Sequence, residues 1–228
     1  MSTPQDLARV QVFRARCFGL KAARDADPFD DACTHTMIEE CCTQSLVGSF
    51  RTMALTGAEI DTSYGSQFYD LQQLRLYDRK MLELGRFCID PAVRDPDVLR
   101  LAWVALTEYV DRHDIGMLIG CSSFSGVNPG PYMDAFALIH QDYLAPPKWA
   151  PHARAPEAIC FAQDAPHRPS HHSAWQQMPP LLRSYLGMGA WVSDHVVIDR
   201  ALNTLHVFTG LEIDAIPPKR KALLRAMR

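Results

Sequence analysis

Met81-Leu82-Glu83-Leu84-Gly85-Arg86-Phe87-Cys88-Ile89-Asp90-Pro91 is the stretch that decides the reading of this chain. Leu82, Leu84 and the Phe87–Ile89 run mark an inner strand, and Pro91, which cannot donate to a sheet ladder, ends it. A glutamate and an arginine sit inside this apolar frame, and charges are rarely buried unless they are paired or used. Strict alternation places Glu83 and Gly85 on one face and Leu82, Leu84 and Arg86 on the other. Two readings are open at this point. The charges form a structural ion pair or reach water at a strand edge, or the strand carries a catalytic carboxylate into a cleft.

Working outward, a helix is expected over Gln5–Phe18. Thr3 can cap it, Pro4 suits its first turn, and Leu7, Val10, Phe13, Arg14 and Cys17/Phe18 follow helical spacing. An acidic loop with one aromatic follows, Arg24-Asp25-Ala26-Asp27-Pro28-Phe29-Asp30-Asp31. His35–Glu40 and Ser45–Leu55 read as strands, the second carrying Arg51. Thr56–Tyr77 is loop-like, with a short helix near Phe68–Leu74. Asp95–His113 is the clearest helix, capped by Asp95 and striped by Val98, Leu101, Ala102, Ala105, Leu106, Tyr109 and Val110. Gly116–Phe124 is a second buried strand, and Pro129–Leu144 another helix. Residues 145–178, rich in Pro, Ala, His and Trp without periodicity, read as an irregular insertion. Pro179–Leu186 is a short helix, Trp191–Asp199 and Thr204–Glu212 a hairpin, and residues 217–228 a basic amphipathic tail. Alternating strands and helices indicate an α/β architecture in a single domain over residues 1–228.

Composition narrows the function. A net charge of −3 and a pI near 6.3 argue against general nucleic-acid binding. The N-terminus lacks the apolar core of a signal peptide, and no apolar run approaches the ~20 residues of a membrane span. The seven cysteines are scattered, odd in number and without a CxxC, which fits reduced thiols in a cytoplasm. Cys33-x-His35, Cys41-Cys42 and His171-His172 are the tight Cys/His clusters, and none has metal-site spacing. Nucleotide-binding glycine loops are absent, and Cys121-Ser122-Ser123 lacks the G-x-S-x-G frame of a nucleophile elbow. What remains is a polar set in the N-terminal half: Arg14, Arg16, Asp27, Asp30, Arg51, Glu83 and Arg86. Two strand arginines and two loop aspartates suit an amphoteric substrate such as an amino acid, with carboxylates on its ammonium and a guanidinium on its carboxylate.

In order along the chain, these residues fall into motifs: Phe13-Arg14-x-Arg16-x-Phe18, Asp27-Pro28-Phe29-Asp30-x-x-Cys33-x-His35, Val47-Gly48-x-Phe50-Arg51, Glu83-Leu84-Gly85-Arg86-Phe87-x-Ile89-x-Pro91, Gly120-Cys121-Ser122-Ser123-Phe124 and Pro179-Pro180-Leu181-Leu182-x-x-Tyr185-Leu186-x-x-Gly189. The series, from about Leu7 to Thr209, resembles the L-ornithine Nα-acyltransferases of bacterial ornithine-lipid synthesis, some relatives of which carry a hemolysin-like label. The resemblance implies the GCN5-related N-acetyltransferase (GNAT) fold and kinship with acyl-homoserine-lactone synthases. That fold is a mixed, mostly antiparallel sheet flanked by helices, with two central strands splayed to admit a thioester arm. Met81–Ile89 and Gly116–Phe124 are those strands here, and the strand that usually precedes the first helix is missing.

The implied reaction moves a 3-hydroxyacyl chain from acyl carrier protein to the α-amino group of L-ornithine. The product, lyso-ornithine lipid, is completed by a separate O-acyltransferase. The resemblance assigns Glu83 and Arg86 to catalysis and Arg16, Phe18, Asp27, Asp30 and Arg51 to the amino-acid substrate. It assigns Phe87, Cys88, Ile89, Cys121, Ser122, Ser123 and Phe124 to the acyl–pantetheine arm, with no metal and no cofactor. The usual glycine-rich pyrophosphate loop is replaced by Val93-Arg94-Asp95-Pro96-Asp97-Val98, which disfavours coenzyme A and favours a carrier-protein donor. Arg94, Arg100, the basic N-terminal end and the Lys219–Arg228 tail are candidates for docking an acidic carrier protein or anionic lipid, placing the enzyme in the cytoplasm with peripheral membrane contact. The competing readings are another amino-acid acceptor, an acyl-homoserine-lactone-type synthase, and a non-catalytic acyl-carrier or lipid-binding protein.

Overall fold

The computed structural model of the protein describes residues 3–164 and 169–227. In chain order the elements are α1 (Pro4–Cys17), β1 (Thr34–Glu39), β2 (Leu46–Leu55), β3 (Tyr69–Asp70), β4 (Lys80–Ile89), α2 (Asp97–His113), β5 (Ile115–Ser125), α3 (Met133–Asp142), β6 (His152–Ala153), β7 (Ala158–Cys160), α4 (Phe161–Asp164), α5 (His171–Gln177), α6 (Pro180–Leu186), β8 (Trp191–Val192), β9 (His195–Asp199), β10 (Thr204–Glu212) and α7 (Pro218–Ala226). Among the described residues the first element is therefore a helix. The chain divides into two compact units. One comprises Met1–Ala54, Leu82–Ile115 and Pro218–Arg228, the other Leu55–Met81 and Gly116–Pro217.

In the first unit, α1 starts on a reciprocal cap. The Asp6 amide donates to Thr3 Oγ1 at 3.1 Å, and the Thr3 amide donates to the Asp6 carboxylate at 3.0 Å. The helix buries Val10, Phe13 and Ala15 and, with them, Arg14. β1 and β2 pair antiparallel with His35 opposite Arg51 and Thr36 opposite Phe50. β4 neighbours β2, and the Phe50 and Phe87 rings stack at 5.8 Å. α2 buries the stripe Val98, Ala102, Trp103, Leu106 and Val110. A side chain at Gly48 would meet Val98 Cγ1 at 3.1 Å, so the glycine lets α2 approach β2. α2 begins at Asp97 with Pro96, not Asp95, at its N-cap; Asp95 stands one residue further out and accepts from the Asp97 amide at 2.9 Å. The basic tail forms α7, which has no buried residue; Arg225 is paired with Asp111 of α2 at 3.0 and 3.1 Å. The last tail residue, Arg228, lies outside the described residues.

The alternation expected for β4 is broken at Arg86, whose φ of +51° is left-handed. A side chain on Gly85 would meet Arg51 Nε at 3.5 Å, and Arg86 itself reaches Asp27, which Arg51 also holds. Gly85 and Arg86 therefore face the same way. Glu83, two residues before Gly85, shares that face instead of opposing Arg86. A non-glycine residue at positive φ is uncommon and marks a locally held conformation.

In the second unit, β5, β10, β9 and β7 form an antiparallel array. Phe208 pairs with Cys121, His206 with both Ser123 and Val197, and Val197 with Ala158. One face carries Met117, Ile119, Phe208 and Val197, which close a core with Ile60, Tyr69, Leu71, Leu74, Met81 and Trp191. The other carries Phe124, whose ring meets Phe136 of α3 edge-on at 5.2 Å. The helix expected near Phe68–Leu74 is replaced by β3 and a 3-10 turn at Gln72–Leu76. Residues 145–178 are less irregular than their composition implied. β6 pairs with β3, β7 extends the sheet beyond β9, and α5 packs on α3. Elements of two to seven residues are too short to show a period. Residues 165–168 of this stretch lie outside the described residues.

Gly210 has a structural reason for being glycine. A β-carbon there would lie 2.1 Å from the Trp191 indole, so the ring packs flat on the bare backbone of β10. Gly210→Ala is expected to displace the indole and cost roughly 1–3 kcal/mol, as overpacking of a tight core does. The urea unfolding midpoint reads this; an unchanged midpoint would show that the ring does not depend on the glycine.

Candidate active site

Six side chains of the first unit close a ring of alternating charge. Arg14 holds Asp30 with both terminal nitrogens, at 2.8 and 2.9 Å, and its Nε lies 2.9 Å from Asp25. Asp25 accepts from Arg86 Nε at 2.9 Å, and Arg86 Nη2 donates to Asp27 at 2.9 Å. Arg51 grips Asp27 bidentately at 2.6 and 2.8 Å and returns to Asp30 at 2.7 Å. The ring thus runs Arg14–Asp25–Arg86–Asp27–Arg51–Asp30 and back to Arg14. The members come from four segments of the chain. Arg14 is on the buried stripe of α1, Asp25, Asp27 and Asp30 lie in the loop after it, Arg51 is on β2, and Arg86 is at the left-handed break in β4.

The ring is supported from outside. Gln11 donates to Asp30 at 3.0 Å, the Phe29 amide to Asp27 at 2.9 Å, and the Phe29 ring lies 5.7 Å from the Arg51 guanidinium. Burial alone would raise the pKa of Asp30, but the hydrogen bonds from Arg14 and Gln11 and the arginine charges outweigh it. Its carboxyl titrates well below the usual range. Asp27 is lowered by the same balance, with Arg51 the main opponent of burial. Cys33 lies among Arg51, Glu83, Asp27 and Asp30, and burial pushes its thiol up to about 11, so it is no thiolate nucleophile at neutral pH.

Glu83 is 5% exposed and stands on the ring's face of β4. The structure therefore brings Glu83, Arg86, Asp27, Asp30 and Arg51 into one region. Arg16 and Phe18 stand apart. Arg16 is 63% exposed and pairs with Asp90 at 2.6 Å, while Phe18 caps the C-terminal end of α1. The buried partners are Arg14, fully enclosed, and Asp25. Arg14 had a readable signal, because it falls on the apolar stripe of α1 where a charge requires a partner.

The residues assigned to the acyl arm divide. Phe87 stacks on Phe50, Ile89 is half-buried, and Cys88 is buried, its thiol pushed up by a hydrogen bond with Cys17 and by desolvation. In the second unit, alternation sends Cys121 and Ser123 to one face of β5, and Ser122 and Phe124 to the other. Ser122 Oγ accepts from Thr209 Oγ1 at 3.0 Å, and Phe124 is core. Among the described residues, no group of three or more His, Cys, Asp or Glu is arranged to hold a metal ion.

Arg14→Met is expected to destabilise the protein by about 3–5 kcal/mol, because it leaves the buried Asp25 and Asp30 each with one of their two arginine partners. Arg16→Met should change stability by less than about 1 kcal/mol, because its pair is solvated. Equal losses in denaturant unfolding would refute the distinction. The depressed Asp30 and Asp27 also set an acid limit. Their contribution is complete above the ordinary carboxylate pKa and is lost as pH falls below it, so unfolding midpoints should drop on acidification below about pH 4.

A family profile described as an acetyltransferase (GNAT) domain matches residues 8–104. The L-ornithine N(alpha)-acyltransferase of Brucella abortus (strain 2308) is 32% identical over 201 residues, covering 85% of this chain and 72% of that protein. The L-ornithine N(alpha)-acyltransferase of Rhodobacter capsulatus is 31% identical over 204 residues, covering 86% and 78%. Among solved structures, TofI in an apo form superposes with a TM-score of 0.53 at 15% identity, over 100% of this chain and 95% of that one. FeeM, an N-acyl amino acid synthase from uncultured soil microbes, gives 0.51 at 11% identity, over 94% and 88%. At such identities the structures speak to the fold alone, and they agree with a mostly antiparallel GNAT-like sheet flanked by helices. The identities to the two curated enzymes go further: this chain belongs to the L-ornithine Nα-acyltransferase family.

Proposed function

We propose that the protein transfers a 3-hydroxyacyl chain from acyl carrier protein to the α-amino group of L-ornithine, giving lyso-ornithine lipid for a separate O-acyltransferase. The observation that carries this reading is the charge of the site. Three arginines of the ring balance its three aspartates, and Glu83 adds one negative charge on the same face. Ornithine at neutral pH carries two ammoniums and one carboxylate, a net +1, so the charges are complementary.

The ring has a closed end and an open one. Arg14, Asp30 and Arg51 are almost fully enclosed, whereas Asp27 retains 14% exposure and Arg86 9%. On this reading Asp27 meets an ammonium and Arg86 the carboxylate, while Asp30 and Arg51 hold Asp27 in place. Glu83 takes a proton from the α-ammonium, and the neutral amine attacks the thioester carbonyl. The C–N bond forms, the C–S bond breaks, and the thiol leaves with a proton.

A carrier-protein donor is supported by the start of α2. The Asp97 amide already donates to the Asp95 carboxylate just ahead of the helix, and Asp97 adds a second acid in the first turn, so a coenzyme A pyrophosphate is disfavoured there. α7 lies on α2 and presents Lys219 and Arg220 to solvent, with exposed Leu101 and Leu223 on the two helices. Such a face suits an acidic carrier protein or an anionic membrane surface. No helix of the described residues is long and apolar enough to cross a membrane.

Purified protein incubated with 3-hydroxyacyl carrier protein and ornithine, lysine or arginine should yield the ornithine conjugate by mass spectrometry. Product on another amino acid alone would overturn the assignment. Glu83→Gln should lower turnover by roughly 10²- to 10⁴-fold with little change in the KM for carrier protein. Near-wild-type turnover would remove Glu83 from the role of base.

A further inference from the structure

The second unit contains a buried polar group that the reading above does not use. Tyr69, His195 and His206 lie among the apolar side chains of one sheet face, and His206 is only 2% exposed. The Tyr69 hydroxyl is 2.8 Å from the carbonyl oxygen of His206 and 3.0 Å from its Nδ1. Two oxygens at that separation need a proton between them, so the hydroxyl donates to the carbonyl. Nδ1 must then carry a proton of its own and donate to the phenol oxygen. That fixes the tautomer and leaves the lone pair of the neutral ring on Nε2.

Nε2 is buried and has no hydrogen-bond partner. Burial, reinforced by His195 and opposed by Asp199, holds the His206 pKa down to about 4, so the ring stays neutral in the working range. A buried acceptor without a donor is unusual in a native protein and calls for an explanation. The surroundings say which donor would suit it. The Phe68 ring meets the imidazole edge-on at 4.8 Å, and Phe208 and Val197 flank it on the same face. Among these apolar groups the complement is a neutral donor on an otherwise apolar molecule. Ser123, the register partner of His206, is exposed, and Cys121, half-buried, is next on that face. These are two of the residues assigned to the thioester arm.

We propose that His206 Nε2 accepts a hydrogen bond from a hydroxyl on the acyl chain, and is the residue by which the enzyme prefers hydroxylated over plain acyl donors. The proposal rests on the acyl-transfer reading. On that reading Cys121 and Ser123, on the imidazole's face of β5, flank the acyl arm, and a hydroxyl is the one neutral donor a fatty acyl chain offers. A plain chain leaves Nε2 unpaired, and that difference is what discriminates. His195 also has a bare Nε2, but its Nδ1 is 2.6 Å from the Asp194 carboxylate, which reaches solvent.

The test compares kcat/KM for 3-hydroxyacyl, 3-methoxyacyl and unsubstituted acyl carrier proteins of equal length. Wild-type enzyme should favour the hydroxylated donor roughly 10- to 100-fold. The methoxy donor, which keeps the oxygen but cannot donate, should fall with the plain chain. His206→Phe should bring the hydroxy-to-plain ratio close to one, chiefly by losing rate on the hydroxylated donor, and His206→Gln, whose side-chain oxygen can accept, should retain part of the preference. A methoxy donor used as well as the hydroxy donor overturns the proposal, with no variant required. So does an unchanged ratio in His206→Phe, or a ratio that collapses in His195→Phe instead. Absence of ornithine product from every donor with the wild-type enzyme would instead bring down the acyl-transfer reading itself, and this proposal with it.

Discussion

Three arginines and three aspartates closed into a ring are the constraint on which the first unit depends. Buried ion pairs are weak evidence for stability, because removing charges from water is expensive. The ring reduces that penalty by giving every charge two opposite neighbours, so no member is left half-solvated. What it secures is position. Arg14 ties α1 to the loop after it, Arg51 ties that loop to β2, and Arg86 ties it to β4. A loop of aspartates that would otherwise repel one another is thereby held at one fixed place against the sheet.

The same constraint explains the conformation of β4. An ideal strand would turn Arg86 away from Glu83, towards the side of Leu82 and Leu84. The left-handed residue at position 86 turns it back, and the two aspartates that receive its guanidinium hold it there. Gly85 is bare where Arg51 crosses it. Backbone strain of this kind persists where the surroundings over-determine it, and here it puts a glutamate and an arginine on one face of one strand. A carboxylate and a guanidinium so placed can address the two ends of an amino acid.

The second unit uses polar groups differently. Its core face is apolar, and its buried histidines interrupt that face one at a time. Tyr69 fixes the His206 tautomer, and Asp194 holds one nitrogen of His195. Neither arrangement compensates the remaining nitrogen. The first unit satisfies its charges internally, whereas the second leaves a neutral acceptor, His206 Nε2, facing hydrocarbon. The first condition suits a charged amino acid and the second a mostly apolar chain.

Much of this was legible in the sequence. Periodicity placed the long helices and strands, the Thr3 cap was readable, and Glu83 and Arg86 announced themselves because charges break an apolar run only with cause. The short elements within residues 145–178 were not, because pieces of two to seven residues carry no period and are set by pairing with distant strands. Arg14 and Arg16 stand two residues apart on one helix, and although only Arg14 falls on its apolar stripe, the sequence does not name the partners that would hold it there. The packing of α1 buries the first against Asp25 and Asp30 and leaves the second in water. Which charges meet is decided by tertiary structure, since the ring joins residues up to 61 positions apart through a backbone turn at Arg86 that no local propensity selects. The sequence by itself determined which chemistry the site contains, because residue types are a local property. The fold alone decided the geometry, because salt bridges between distant segments exist only once those segments are brought together.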